Sequence, residues 1–263
     1  MSSLQTIETK HMNKPSYSKL NLFIRSLIFS IYSITTIIIY SFVCLAALLF
    51  PLHFRMSLIR AYMRVYFYVL KKVCHLDYKV EGLENIPKDR NGIIMCKHSS
   101  TWETFFLPLY FHLPAALAKR ELAWIPFFGW GLAVSQPIFI NRSDKQSSMQ
   151  QIIEKGERFL RQGRWIMIFP EGTRVPFGTV GQYKLGGARL AAATGYPIIP
   201  IAHNAGYFWP RRRFIKRPGT VTVVIGPPIE SRDRKLEELL AVTKQWIETT
   251  MDRISRLVDK PAG

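Results

Sequence analysis

The heptapeptide Lys97-His98-Ser99-Ser100-Thr101-Trp102-Glu103 sets an imidazole five residues ahead of a carboxylate. Within one helix a five-residue step is poorly aligned. If His98 ends a strand and Ser100 caps the helix that follows, Glu103 falls in the first turn and points back at the ring. A carboxylate bonded to one imidazole nitrogen sets the tautomer and frees the other nitrogen to take a proton, as in the orienting half of a catalytic triad. Ser100-x-x-Glu103 is also the pattern of a capping box, which is purely structural. The spacing fits both.

A second turn of this kind is Phe169-Pro170-Glu171-Gly172-Thr173-Arg174. Gly172 lets backbone N–H groups approach a ligand, and Arg174 offers a two-pronged donor for phosphate or an oxyanion. Lys119 and Arg120 follow the apolar stretch 115–118, and Arg142 follows Ile138–Ile140. Each basic residue alone reads as a solvated surface charge. Four strand ends carrying His, Lys, Arg and Arg are less easily read that way.

These turns need strands to deliver them. Short apolar runs at 92–97, 115–118, Ile138–Ile140, 165–169, 198–202 and 220–225 read as buried strands. Helical patterns lie at 101–111, Lys145–Arg161, 185–194 and 233–257. Such alternation predicts an α/β fold, a mostly parallel sheet flanked by helices. In these sheets chemistry gathers where loops leave the strand C-termini.

Ahead of this domain, residues 27–50 form an apolar run without a charged residue. As a helix it is about 36 Å long, enough to cross a hydrocarbon core with tilt. Its distance from Met1, its length and the lack of a following small-residue cleavage site argue against a signal peptide. Basic residues flank both ends, which allows a spanning helix or one lying in a single leaflet. Segment 56–76 mixes aromatic and basic side chains, as suits a headgroup layer or an amphipathic helix packed on the soluble domain. The expected organisation is a polar tail at 1–20, a membrane anchor with interfacial helix at 21–75, and a catalytic domain at 76–263.

The 263-residue chain is 48% apolar and 13% aromatic, enough for a packed core, yet carries a net charge of +18. That charge points to nucleic acid, an anionic membrane or a polyanionic substrate. Cys44, Cys74 and Cys96 form neither a metal-site spacing nor a disulfide framework. H-E-x-x-H and G-x-S-x-G are absent, and at Gly181–Gly186 a glycine, Gly187, stands where a P-loop lysine would be. No zinc-finger, RNP or helix-turn-helix pattern supports nucleic-acid binding, and the apolar anchor opposes it.

The strings HSSTWE, KREL-x-x-IPFFG, PIFINR, FPEGTR and YPIIPIAHNAG occur in order over about residues 75–230. In this the sequence resembles the 1-acyl-glycerol-3-phosphate acyltransferase family, the PlsC-like group of glycerolipid acyltransferases. The resemblance implies acyl transfer from acyl-CoA or acyl carrier protein to the free hydroxyl of lysophosphatidic acid, giving phosphatidic acid, with no bound cofactor or metal. His98 would be the general base, paired with Glu103. Lys119 and Arg142 would contact the phosphorylated head, Glu171, Gly172, Thr173 and Arg174 would bind its phosphate, and residues 197–200 would shape the acyl-donor side. The family usually pairs the histidine with aspartate; here the acid is Glu103, one methylene longer. The implied location is the cytoplasmic membrane, with the catalytic domain facing the cytoplasm. Another lysophospholipid or lyso-aminolipid as acceptor, or a non-enzymatic basic protein binding membrane or nucleic acid, are the alternatives.

Overall fold

The computed structural model describes residues 17–140 and 145–258. Two long helices come first, α1 (Lys19–Ala47) and α2 (Leu52–Cys74). Then follow β1 (Leu76–Glu81), β2 (Ile93–Cys96), α3 (Trp102–Phe106), β3 (Ala115–Lys119), α4 (Phe128–Val134), β4 (Ile138–Ile140) and α5 (Lys145–Arg161). The chain continues through β5 (Ile166–Ile168), α6 (Gly186–Thr194), β6 (Ile198–His203), α7 (Ala205–Phe208), β7 (Gly219–Ile225) and α8 (Leu236–Ser255).

The strands form one seven-stranded sheet in the order β1-β7-β6-β2-β5-β3-β4. Every pairing is parallel except β6 with β7, so β1 and β7 run against the other five. The C-terminal ends of β2, β5, β3, β4 and β6 therefore share one edge. β1 was not expected from the sequence, because Leu76-Asp77-Tyr78-Lys79 is too polar to read as a buried strand. It lies at the sheet margin, where every residue but Leu76 keeps some exposure.

β2 shows how both faces are filled. Ile94 and Cys96 join one core with Phe29, Phe67, Leu70, Trp102 and Phe106, while Ile93 and Met95 join another with Leu160, Leu190 and Leu239. The first face is covered by α1, α2 and α3, the second by α5, α6 and α8. Helix α3 is shorter than the 101–111 span expected. It gives way to a 3-10 turn at Leu107–Leu109, where Pro108 supplies no backbone donor.

The N-terminal helices pair as a hairpin turning at residues 48–51. Arg25 Nη1 donates to the Val73 carbonyl at 2.8 Å, so the start of α1 sits beside the end of α2. Both ends of the hairpin thus lie on the same side. The hydroxyls of α1 turn inward on their own helix: Ser30, Ser33 and Thr36 donate to the carbonyls of Ser26, Phe29 and Tyr32 at 2.7–2.8 Å. That satisfies polar atoms within an apolar helix. One side of α1 is left uncovered, with Phe23, Ile31, Ile34, Ile39 and Phe42 exposed. Patches of this size mark a surface meant for lipid or protein. α2 is two-sided, burying Met56, Met63, Tyr66, Phe67 and Leu70 while exposing Phe54, Val65 and Tyr68.

Phe29 is fully buried, in edge contact with Tyr66 at 5.1 Å and Trp209 at 5.8 Å. It lies in the run that reads as a lipid-facing helix, yet it is a core residue of the whole molecule. Phe29→Ala should destabilise the folded protein by about 3–5 kcal/mol through the cavity it leaves. Ile39→Ala, at an exposed position of the same helix, should stay within about 0.5 kcal/mol. Thermal denaturation of both variants in detergent micelles checks the pair.

Candidate active site

β2 ends in Cys96 and delivers His98 to the shared C-terminal edge. His98 Nδ1–H donates to Glu103 Oε1 at 2.8 Å. The same oxygen accepts the backbone N–H groups of Ser99 at 3.0 Å and Ser100 at 2.9 Å. The Ser100 end of the capping box is made differently. The N-cap is Thr101, and Ser100 Oγ accepts from the Trp102 N–H at 3.2 Å rather than from Glu103. The two readings of the spacing are therefore not exclusive. One carboxylate oxygen both closes the turn and orients the imidazole. The other nitrogen, Nε2, has no hydrogen-bond partner among the described residues, and the ring stacks on Phe169 with centroids 4.0 Å apart.

Glu103 is completely buried. Burial pushes its carboxyl pKa up, but His203, the His98 ring and the Ser100 N–H outweigh that, and it settles below the ordinary 4.5. His203 comes from the end of β6 and is equally buried. Its Nδ1 accepts the Ala205 N–H at 3.3 Å, so Nε2 carries the proton and donates to the Lys97 carbonyl at 2.8 Å. Burial holds this ring's pKa below the usual imidazole value. Glu103 Oε2 has no hydrogen bond of its own and faces His203 Nε2 at 3.7 Å.

The turn after β5 meets this cluster from the other side. Glu171 Oε1 accepts the His98 backbone N–H at 3.3 Å, and the His98 carbonyl accepts the Val175 N–H at 2.8 Å. Glu171 is buried, which raises its pKa, and it lies 3.5 Å from Lys97 Nζ. Lys97 also donates to Glu248 Oε1 of α8 at 2.7 Å, which accepts from Tyr183 Oη at 2.8 Å as well. Gly172 holds the turn in a left-handed conformation, with φ +68°, and its N–H closes on the Phe169 carbonyl at 3.0 Å. Gly181 must be glycine for a different reason: a Cβ there would sit 2.8 Å from Glu171 Cγ. Arg174 Nη1 donates to Thr101 Oγ1 at 2.6 Å and has no carboxylate partner among the described residues.

His98, Glu103, Glu171, Gly172 and Arg174 are joined into one network. Thr173 is exposed and contributes no described bond. Lys119 ends β3 on the same sheet edge, exposed and outside the network. Arg142 lies outside the described residues. Sequence reasoning missed His203, Lys97, Glu248 and Tyr183. Lys97 and His203 lie inside strings already singled out, but nothing in their spacing pairs them with Glu103 or with a helix some 150 positions away. The chemistry open to this arrangement is proton removal by His98 Nε2 beside an arginine that can hold an anion.

Comparison with known proteins shows what the chain is similar to. The family model described as Acyltransferase matches residues 77–204. A 1-acyl-sn-glycerol-3-phosphate acyltransferase of Pseudomonas aeruginosa is 44% identical over 191 residues, covering 72% of this chain and 74% of that protein. The protein of the same name from Saccharomyces cerevisiae is 28% identical over 204 residues, covering 76% of this chain and 67% of its own. The crystal structure of the 1-acyl-sn-glycerophosphate (LPA) acyltransferase PlsC from Thermotoga maritima superposes with a TM-score of 0.76 at 26% identity, covering 90% of this chain and 97% of the other.

A carboxyl whose pKa falls on folding stabilises the native state above its unfolded value and loses that contribution as pH drops through the folded value. Glu103 is such a group. The stability difference between wild type and Glu103→Gln should therefore be constant above about pH 5 and shrink below pH 4.5, the ordinary carboxyl value. Urea unfolding midpoints over an acid pH series read this directly.

Proposed function

This chain belongs to the acyltransferase family, and on that footing we propose that it moves a fatty acyl chain from a thioester to the free hydroxyl of 1-acyl-sn-glycerol 3-phosphate, giving phosphatidic acid. The observation that carries this reading is the 2.8 Å bond from His98 to buried Glu103, which leaves Nε2 unpartnered beside the Arg174 turn. The thioester is already activated, so the enzyme has to supply a nucleophile. His98 Nε2 takes the proton from the glycerol hydroxyl as that oxygen attacks the thioester carbonyl. Glu103 stabilises the imidazolium that forms. The tetrahedral adduct then expels the thiolate, which takes the proton back from His98. The balance requires no covalent acyl-enzyme. Arg174 holds the acceptor phosphate, with Lys119 and Arg142 as further cationic contacts. Acyl-CoA and acyl carrier protein both present a suitable thioester.

The surroundings suit a lipid. An apolar cavity of about 130 Å³ lies between the hairpin and α3–α4, lined by Tyr40, Met56, Met63, Phe105, Phe128 and Leu132. Thr104, next to Glu103, is on its wall, so an acyl chain has an apolar space close to the reacting groups. The exposed face of α1 and the return of α2 to the same side favour a hairpin dipping into one leaflet from the cytoplasmic face. In that orientation the catalytic domain stays on the cytoplasmic side.

Incubating purified protein with a labelled acyl donor and a panel of lysolipids tests the reaction. Transfer only to a different lysophospholipid or to a lyso-aminolipid would replace lysophosphatidic acid as acceptor. His98→Ala should lower turnover about 100- to 10,000-fold while the melting temperature is retained. A folded variant with near-normal turnover would remove His98 as the base.

Arg174 gives a second test. Its guanidinium matches two phosphate oxygens, whereas lysine presents a point charge. Arg174→Lys should raise the apparent KM for the phosphorylated acceptor several-fold and leave the donor KM nearly unchanged. A charge-assisted bond contributes about 1.5–3 kcal/mol, so Arg174→Ala should cost on the order of 10- to 150-fold in kcat/KM. Saturation curves for each substrate decide it, and equal changes for donor and acceptor would take Arg174 out of the phosphate site.

A further inference from the structure

Residues 209–218, Trp-Pro-Arg-Arg-Arg-Phe-Ile-Lys-Arg-Pro, join α7 to β7 and carry five basic side chains and no acidic one. The segment is tied to the molecule in two places. At the site end, Ser100 Oγ donates to the Trp209 carbonyl at 2.7 Å and Arg211 Nη1 donates to the Arg174 carbonyl at 2.6 Å. At the other end, Lys216 is buried against α1. Its N–H donates to Ser26 Oγ at 2.9 Å, its Nζ donates to Ser30 Oγ at 3.0 Å, and it sits 5.1–5.7 Å from the rings of Trp209, Phe214 and Phe29. Between the ties, Arg212 and Arg213 are exposed and make no side-chain hydrogen bond, ion pair or ring contact among the described residues. Phe214 is 42% exposed and packs on Phe23 of α1, itself 46% exposed, at 5.3 Å.

We propose that this segment is a headgroup-docking strap, in which Arg212 and Arg213 bind anionic phospholipid headgroups of the bilayer that receives the hairpin. The proposal rests on the membrane reading given above and goes beyond it by naming the lipid charge and the residues that read it. Two observations select a bilayer over an acidic protein such as acyl carrier protein. The arginines continue directly into the exposed apolar stripe of α1 through Phe214 and Phe23, and a basic rim beside an apolar stripe matches the headgroup-to-acyl boundary. The strap is also clamped to α1 itself by Lys216, so whatever depth α1 adopts sets the depth of the arginines. The bonds to Trp209 and Arg174 then carry the docked position to the turns that hold His98 and the acceptor phosphate.

Sedimentation of the full-length protein with phosphatidylcholine vesicles, with and without phosphatidylglycerol, tests this. The wild type should prefer the anionic vesicles, and added salt should erode that preference. Each basic residue at an anionic surface contributes about fivefold in partitioning, so Arg212→Gln/Arg213→Gln should bind phosphatidylglycerol vesicles roughly 30-fold more weakly. Its binding to pure phosphatidylcholine should be unchanged. Arg212→Lys/Arg213→Lys should keep the anionic preference. The proposal is overturned if the glutamine variant retains the wild-type preference, if it loses binding to both vesicle types equally, or if it instead loses affinity for acyl carrier protein. A wild type that binds neither vesicle would overturn the membrane reading itself.

Discussion

Glu103 puts a carboxylate where no water reaches it. A buried charge is tolerated only when other groups replace its lost hydration. Here one oxygen takes three donors, the His98 ring and the N–H groups of Ser99 and Ser100, while the other faces His203. Those donors come from the same short turn, so the turn can adopt only the shape that brings all of them to one point. The imidazole is fixed by the need to satisfy the acid as much as by any demand of its own.

Around that carboxylate the charges are layered. Lys97 sits in a pocket formed by Glu171, Glu248 and the Thr179 carbonyl. This gives Glu171 a counter-charge, and Glu171 in turn accepts the His98 backbone N–H. The C-terminal helix α8 is thereby connected to the residue before the candidate base. Removing one member of such a network strands another buried charge, which is why its parts behave as a unit.

The hairpin and the sheet share one hydrophobic core. Phe29, Phe67 and Leu70 pack with Trp102, Phe106 and Ile94 instead of forming a separate bundle. The uncovered outer side of α1 and the candidate site under its inner side are thus held by the same side chains. The apolar cavity sits at that junction, within reach of both. A flexible tether would have left the two helices free to move relative to the sheet. A shared core removes that freedom.

Much of this was legible in the chain. Period-two and period-3.6 patterns located most strands and helices, because burial of one face leaves an imprint on consecutive residues. Glycine after the strand 165–169 marked a tight turn, because the left-handed backbone found at Gly172 restricts the residue type. The long uncharged run marked α1 for the same reason of local composition. The marginal strand β1 was not legible, since all of it but Leu76 keeps some exposure, and the 3-10 end of α3 was hidden in an apolar run. Nor was the inward role of Phe29, because an apolar residue looks the same facing lipid or core. Tertiary structure alone decided that one oxygen of Glu103 serves both cap and dyad, that His203 backs it, and that Lys97 reaches Glu248. The last two pairings join residues 100 and 151 positions apart. Sequence records what each residue can do locally, but which buried charges meet is set by chain topology, through the requirement that each be neutralised wherever the fold happens to place it.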